Sequence, residues 1–136
     1  MSFILDCSVT MTWCFKDQAS DYAVQVLKSM KNTQAYVPFL WDLEVANVIH
    51  LAHKKKHCTE ADQIYYIELL NSLNIKKLRV EASIEHLLLI SREHNLTAYD
   101  ACYFYLSMSH NMPIATLDID LKKAVLKAGG KIYLQK

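Results

Sequence analysis

Short apolar runs alternate along the chain with longer segments in which apolar residues recur at helical spacing. The apolar runs predict short buried strands at Ser2–Leu5, Ala35–Val37, Ile75–Leu78, Pro113–Leu117 and Ile132–Leu134. Helical periodicity predicts helices over Asp21–Lys31, Leu40–His53, Thr59–Leu73, Glu81–His94, Thr97–Met108 and Leu121–Lys127. Strands that alternate with helices imply an α/β fold with a mostly parallel sheet of about five short strands. We expect one domain over residues 1–136, because no linker or internal repeat interrupts the pattern.

Composition narrows the class of protein without naming a function. The chain has 136 residues, of which 52% are apolar, and this fraction excludes a disordered chain. Its net charge of +1 excludes a polybasic protein. The apolar run at Phe3–Leu5 is too short for a signal peptide, and no segment has the length of a membrane span. The four cysteines form no C-x-x-C pair. We therefore expect a cytoplasmic protein with reduced cysteines and no membrane contact.

Two acids directly follow predicted strands. Asp6 follows Ser2–Leu5, and Asp118 follows Pro113–Leu117. Ligands of open parallel sheets bind in the crevice beyond the carboxyl ends of the strands, so both acids are candidates for a site there. The alternative is that each acid caps the N-terminus of the helix that follows it, since aspartate is favoured at that position.

Two further acids lie within apolar helices. Glu44 and Asp100 have no lysine or arginine three or four residues away, and an unpaired carboxylate on an apolar face is costly. Asp100 has a local alternative, because Thr97 and Asp100 have the spacing of a capping box. Glu44 has a weaker one, since its neighbour Asp42 is the better first-turn acid.

The four acids together predict a cation site. Converging carboxylates repel one another and raise each other's pKa values, and a hard divalent cation removes that conflict. Mg²⁺ and Mn²⁺ prefer oxygen ligands, and such a site can hydrolyse a phosphodiester bond. Spacing along the chain does not show whether the four acids converge.

The segments that carry these acids resemble the ordered motifs of the PIN-domain ribonucleases and, more narrowly, of the VapC toxins. They read ILDCSV, VPFLWDLEVANVI, LTAYDACYFYLS and PIATLDIDL, and the resemblance runs from Phe3 to Leu134. It implies a three-layer α/β/α sandwich in which Asp6, Glu44, Asp100 and Asp118 bind Mg²⁺ or Mn²⁺. It further implies that the Thr116 hydroxyl steadies this set and that Ser8 occupies a small polar position. Asp120 is either an outer acid or a first-turn helix residue.

The resemblance also implies a substrate and partners. It implies an endoribonuclease that acts on RNA, often tRNA or rRNA, and a homodimer that is neutralised by an antitoxin across the active-site groove. The run Lys54–Lys56 either contacts RNA phosphates or complements the dipole of its helix. Candidates for base stacking or for packing are Tyr99, Tyr103 and Tyr105. Candidates for the dimer face or the antitoxin groove are Trp41, Tyr65 and Tyr66.

Two other functions compete with this interpretation. A non-catalytic PIN-like module that binds RNA or protein remains open. A nucleotide-binding α/β domain is set aside, because the only glycines are Gly129 and Gly130 and no phosphate-binding glycine loop exists. If the four acids share one pocket, the rest of the chain has ten acids and fifteen bases. The surface around the pocket is then mildly basic, which suits an RNA backbone.

Overall fold

Seven helices and four strands alternate along the chain in the computed structural model, which describes residues 1–135; Lys136 of the predicted 1–136 domain lies outside the described residues. The strands are β1 (Ser2–Leu5), β2 (Gln34–Pro38), β3 (Ile75–Leu78) and β4 (Ile114–Ala115). The helices are α1 (Cys7–Cys14), α2 (Asp21–Ser29), α3 (Leu40–Lys54), α4 (Glu60–Ser72), α5 (Ile84–His94), α6 (Ala98–Ser109) and α7 (Ile119–Lys127). A 3₁₀ turn spans Lys16–Gln18.

All strand pairs in the sheet are parallel, in the order β3-β2-β1-β4. The central strand β1 pairs with β2 on one side and with β4 on the other. The chain therefore leaves β1 towards β2 and returns later to its other side at β4. The carboxyl ends of β1 and β4 flank the point at which the strand order reverses, and such a point opens a crevice in this class of sheet.

The core is built around β1. Phe3, Ile4 and Leu5 have no exposed surface, as expected for a continuous apolar run with helices on both faces. The Phe3 ring stacks on Tyr133 with the centroids 3.9 Å apart, and the Tyr22 hydroxyl donates to the Tyr133 carbonyl oxygen at 2.8 Å. These contacts attach the C-terminal segment to the central strand.

Most predicted elements are confirmed, with some boundaries shifted. β1 and β3 match their predicted ranges, and Thr59 caps α4 through a capping box with Asp62. Gly129 has the left-handed φ of +88° that a glycine can adopt without strain at the end of α7. The helix predicted over Glu81–His94 begins at Ile84 instead, because the Ser83 hydroxyl accepts the His86 backbone N–H and fixes the cap there.

Two predictions about the elements are wrong. The predicted fifth strand, Ile132–Leu134, does not form within residues 1–135. Ile132 makes a single parallel bridge to Ile114, and the chain then turns at Leu134, where φ is +61°, so the sheet has four strands. Helix α1 is missing from the predicted set, although the capping alternative for Asp6 placed a helix start there. None of its eight residues is exposed, so no polar face marks an amphipathic period.

All four cysteines are free thiols. Cys7, Cys14 and Cys58 are buried free thiols, and Cys102 is a half-buried one. No helix within residues 1–135 combines the length and the apolar character that crossing a membrane requires.

Candidate active site

Asp6 lies at the carboxyl end of β1 with its side chain almost fully buried. It occupies the N-cap position of α1, yet its carboxylate forms no capping hydrogen bond. Two hydroxyls instead donate to Asp6 Oδ2, from Ser8 Oγ at 2.6 Å and from Thr116 Oγ1 at 2.7 Å. Within residues 1–135, Oδ1 has no hydroxyl partner. The carboxylate is therefore held in one orientation and is not used for capping.

The same two hydroxyls connect Asp6 to the end of β4. Ser8 Oγ accepts the Leu117 backbone N–H at 3.0 Å, and Thr116 Oγ1 accepts the Asp118 N–H at 3.0 Å. Asp118 caps α7, since its Oδ1 accepts the Leu121 N–H at 2.9 Å, so the capping alternative is correct for this residue. The cap engages Oδ1 alone, and within residues 1–135 Oδ2 accepts no hydrogen bond.

Asp100 occupies the first turn of α6, where it is half-buried. The Thr97 hydroxyl accepts the Asp100 backbone N–H at 3.1 Å, which forms half of the predicted capping box. This cap explains why α6 begins at Ala98. Asp100 lies close enough to Asp6 and Asp118 for their charges to raise its pKa.

Glu44 lies in the second turn of α3 and is half-buried against α6. The hydroxyl of Tyr103 donates to Glu44 Oε1 at 2.6 Å, and within residues 1–135 this is the only hydrogen bond of the carboxylate. Burial raises the pKa of Tyr103 well above its ordinary value, so the phenol keeps its proton and remains a donor. No pattern in the sequence pairs these residues, which lie 59 positions apart.

The acids influence one another electrostatically. Burial raises the pKa of Asp6, against its two hydroxyl partners, and the charge of Asp118 adds to the rise. Burial raises the pKa of Glu44, and the charges of Asp6 and Asp100 add to it. Burial raises the pKa of Asp100 to about 6, with further contributions from Asp6 and Asp118. All four predicted acids therefore share one electrostatic environment.

The exposed Asp120 is coupled to the same group, because its charge also raises the pKa of Asp100. It lies on the first turn of α7, where the helix dipole favours an acid. Its position agrees with both interpretations made from the sequence.

The donor set fits a hard divalent cation in its chemistry. Among residues 1–135 the one ion pair joins Lys77 to Asp42, so none of the four acids is neutralised by a basic side chain. Oxygen donors that lack a counter-charge suit Mg²⁺ or Mn²⁺. No three Asp, Glu, His or Cys side chains in the described part of the chain are close enough to form a ready-made cage. A cation would therefore be held by a few of these oxygens together with water or substrate.

The lysine run and the tyrosines that the sequence indicated differ in their exposure. Lys54–Lys56 are exposed at the end of α3. Of the three tyrosines considered for base stacking, Tyr103 is buried and Tyr105 packs edge-on against His86, whereas Tyr99 is 63% exposed beside Asp100. Of the three candidates for the dimer face or the antitoxin groove, Trp41 and Tyr66 are buried and Tyr65 is exposed.

Comparison with known proteins gives a family and a fold. A comparison with curated proteins finds no match. The structure of PAE2754 from Pyrobaculum aerophilum is similar with a TM-score of 0.69 at 18% identity, over 91% of this chain and 79% of that one. VapBC2 from Rickettsia felis, solved with a DNA fragment from its promoter, is similar with a TM-score of 0.62 at 14% identity, over 91% and 93%. The family model for the PIN domain matches residues 3–126, and the chain therefore belongs to the PIN-domain family.

Proposed function

We propose that this chain is a metal-dependent endoribonuclease toxin of a toxin–antitoxin pair. PIN domains are generally nucleases that use divalent metal ions. The observation that carries the proposal is a group of four carboxylates without a basic partner in the described residues, in which burial and the charges of other members raise the pKa of Asp6, Glu44 and Asp100.

Each residue of the set has a role in this proposal. The cation-binding acids are Asp6, Glu44, Asp100 and Asp118. Ser8 and Thr116 fix the orientation of Asp6, because both hydroxyls donate to the same carboxylate oxygen. A bound Mg²⁺ or Mn²⁺ would orient a water for in-line attack and stabilise charge on the leaving oxygen.

RNA is the proposed substrate, with tRNA or rRNA as its class. Outside the four acids, fifteen bases face ten acids, and this excess of positive charge suits a phosphate backbone. Tyr99 is exposed next to Asp100 and can stack on an unpaired base. Lys54–Lys56 are exposed and available to a backbone phosphate.

A non-catalytic RNA- or protein-binding module is the second candidate. It is favoured by the lack of a closed cage of ligands within residues 1–135. The two functions are separated by incubating RNA with purified protein in Mn²⁺ and in EDTA, with calorimetry of cation binding alongside. Cleavage in Mn²⁺ alone supports the nuclease, whereas no cleavage and no cation binding support the second candidate.

We expect Mn²⁺ to raise the melting temperature of the protein by about 5–10 °C at neutral pH, at about 100 times its dissociation constant. Burial raises the folded-state pKa of Asp100 to about 6, from an ordinary value of 3.8. Protonation of Asp100 therefore stabilises the folded protein. This contribution is complete below the pKa of Asp100 in the unfolded chain, and it is lost as the pH rises through the pKa in the folded protein. At pH 5, below the folded-state pKa, protons compete with the cation for Asp100, so the gain from Mn²⁺ should shrink.

The measurement is thermal unfolding at pH 5.0 and 7.5, in EDTA and in Mn²⁺. The variant Asp100→Asn removes one titrating group and should flatten the pH dependence in EDTA. An equal gain from Mn²⁺ at both pH values would contradict the assignment of these acids to the cation.

Two apolar surfaces suit protein partners. A groove of about 650 Å³ between α3 and α4 is lined by apolar side chains, which include Trp41, Val45, Ile49, Ile64, Ile67 and Leu70. We assign this groove to an apolar segment of a VapB-like antitoxin. The exposed face of α5 carries Ile84 and Leu88, one helical turn apart and 75% and 54% exposed, and we assign it to a homodimer.

The homodimer makes a direct prediction. Sedimentation equilibrium should give twice the monomer mass of 15.7 kDa, and the double variant Ile84→Lys/Leu88→Lys should sediment as a monomer, because two lysines cannot be buried unpaired. Leu126→Lys on α7 is the matched control, since Leu126 is 52% exposed and lies outside this face. A double variant that stays dimeric would remove α5 from the interface.

A further inference from the structure

The hydrogen bond between Tyr103 and Glu44 fixes one oxygen of the proposed cation site. Tyr103 has no exposed surface, and its hydroxyl lies 2.6 Å from Glu44 Oε1. A fully buried tyrosine hydroxyl needs a partner, so the position of the ring in the core determines where the donor lies. The donor in turn restricts the orientation of the carboxylate, and Oε2 accepts no hydrogen bond within residues 1–135.

Helix α3 does not depend on this bond for its position. Trp41, three residues before Glu44, donates from Nε1 to Thr10 Oγ1 at 3.1 Å, and both side chains are buried. This second attachment holds the first turn of α3 against α1. The Tyr103 hydroxyl therefore controls the side chain of Glu44 and not the placement of its helix.

The other acids show the same division of their oxygens. Asp6 has both hydroxyl bonds on Oδ2, and Asp118 has its helix cap on Oδ1. Together with Glu44, three carboxylates each have one oxygen engaged by the protein and one without such a partner among residues 1–135. Each of these side chains can therefore offer one oxygen readily, and two only by giving up a hydrogen bond.

We propose that Tyr103 is a positioning residue that reserves Glu44 Oε1 and thereby favours small octahedral cations over Ca²⁺ at this site. The inference rests on the proposed metal-dependent function. Mg²⁺ requires a near-octahedral shell and takes few protein oxygens, whereas Ca²⁺ takes six to eight oxygens and often binds both oxygens of one carboxylate. A carboxylate with one oxygen already bonded suits the first kind of ion.

The test compares Tyr103→Phe with the wild type by titration calorimetry with Mg²⁺, Mn²⁺ and Ca²⁺. The variant keeps the ring and removes the hydroxyl. We expect about tenfold weaker binding of Mg²⁺ and Mn²⁺, the scale on which outer hydrogen bonds tune cation affinity, with unchanged or tighter binding of Ca²⁺. RNA cleavage should lose kcat in Mg²⁺ with little change in KM.

Tyr133→Phe is the matched control. Tyr133 is also a buried tyrosine, and its hydroxyl donates to Ser29 Oγ at 2.8 Å, away from the four acids' hydrogen bonds. It should lower thermal stability and leave the order of cation affinities unchanged. An unchanged ratio of Ca²⁺ to Mg²⁺ affinity in Tyr103→Phe would overturn the positioning role alone. A wild type that binds none of the three ions would overturn the proposed function as well.

A second measurement uses the wild-type protein. Proton NMR should show the buried Tyr103 hydroxyl proton as a downfield signal that persists when Mg²⁺ is added, because Oε1 stays bonded. Its assignment follows from its absence in Tyr103→Phe. Loss of the signal on Mg²⁺ binding would mean that Glu44 gives up the bond, and that result would also overturn the inference.

Discussion

Replacing Asp6 by asparagine is expected to lower RNA cleavage by at least about a hundredfold, since even changes to the outer partners of a metal ligand cost 10–100-fold. Asp6 is the most buried of the four acids, and two hydroxyls hold it in place. Asparagine has nearly the same shape and can still accept both hydroxyl bonds, so the change removes the charge with little rearrangement. Cleavage of a fluorescent RNA in saturating Mn²⁺ measures the loss.

The same substitution should leave the protein in EDTA as stable as the wild type, or more so. Burial raises the pKa of Asp6, which means that its charged form is unfavourable in the folded protein at neutral pH. A neutral amide avoids that cost. Asp17→Asn, at an exposed acid in the 3₁₀ turn, is the control and should cleave normally. Asp6→Asn that retains more than a tenth of the wild-type rate would exclude Asp6 from the site.

Phe3→Ala should have the largest effect on stability, with a loss of about 3–5 kcal/mol in the free energy of unfolding. Phe3 has no exposed surface and stacks on Tyr133 with an interplanar angle of 5°. Its removal would leave a cavity in the central strand and loosen the C-terminal segment. Because a typical domain has only about 5–15 kcal/mol of stability, a large part of it would be lost.

Urea unfolding, followed by tryptophan fluorescence at one fixed protein concentration, measures this loss. Phe39→Ala is the matched control, since Phe39 is 61% exposed and should change the free energy by only about 0.5 kcal/mol. Equal losses for the two variants would show that Phe3 is not the centre of the core.

The strands were predictable because the faces of a parallel sheet are both covered. A run such as Phe3–Leu5 has no polar alternation, and this marks β1 directly in the sequence. The same cause hides α1, whose buried residues include Val9, Thr10 and Met11 on different sides of the helix. A helix that is buried all round has no polar face to report its period.

The candidate site was predictable as a set of residues and not as an arrangement. The position of Asp6 and Asp118 after strands indicated the sheet edge that they share, because parallel strands end together. The partner of Glu44 was not predictable, since no local pattern joins a residue of α3 to one of α6 that lies 59 positions away. One signal could have suggested the pair, because an acid in an apolar helix needs a hydrogen-bond donor and a buried tyrosine needs an acceptor.

The connection from Thr116 back to Asp6 spans 110 positions, and this span has a consequence for synthesis. A ribosome adds Thr116 to the chain 110 residues after Asp6. Until then the nascent chain has its first acid without the hydroxyl, the helix cap and the neighbouring strand that complete the crevice. Under the proposed function, the growing polypeptide is harmless to the RNA around it until Thr116 has been made and β4 has paired with β1.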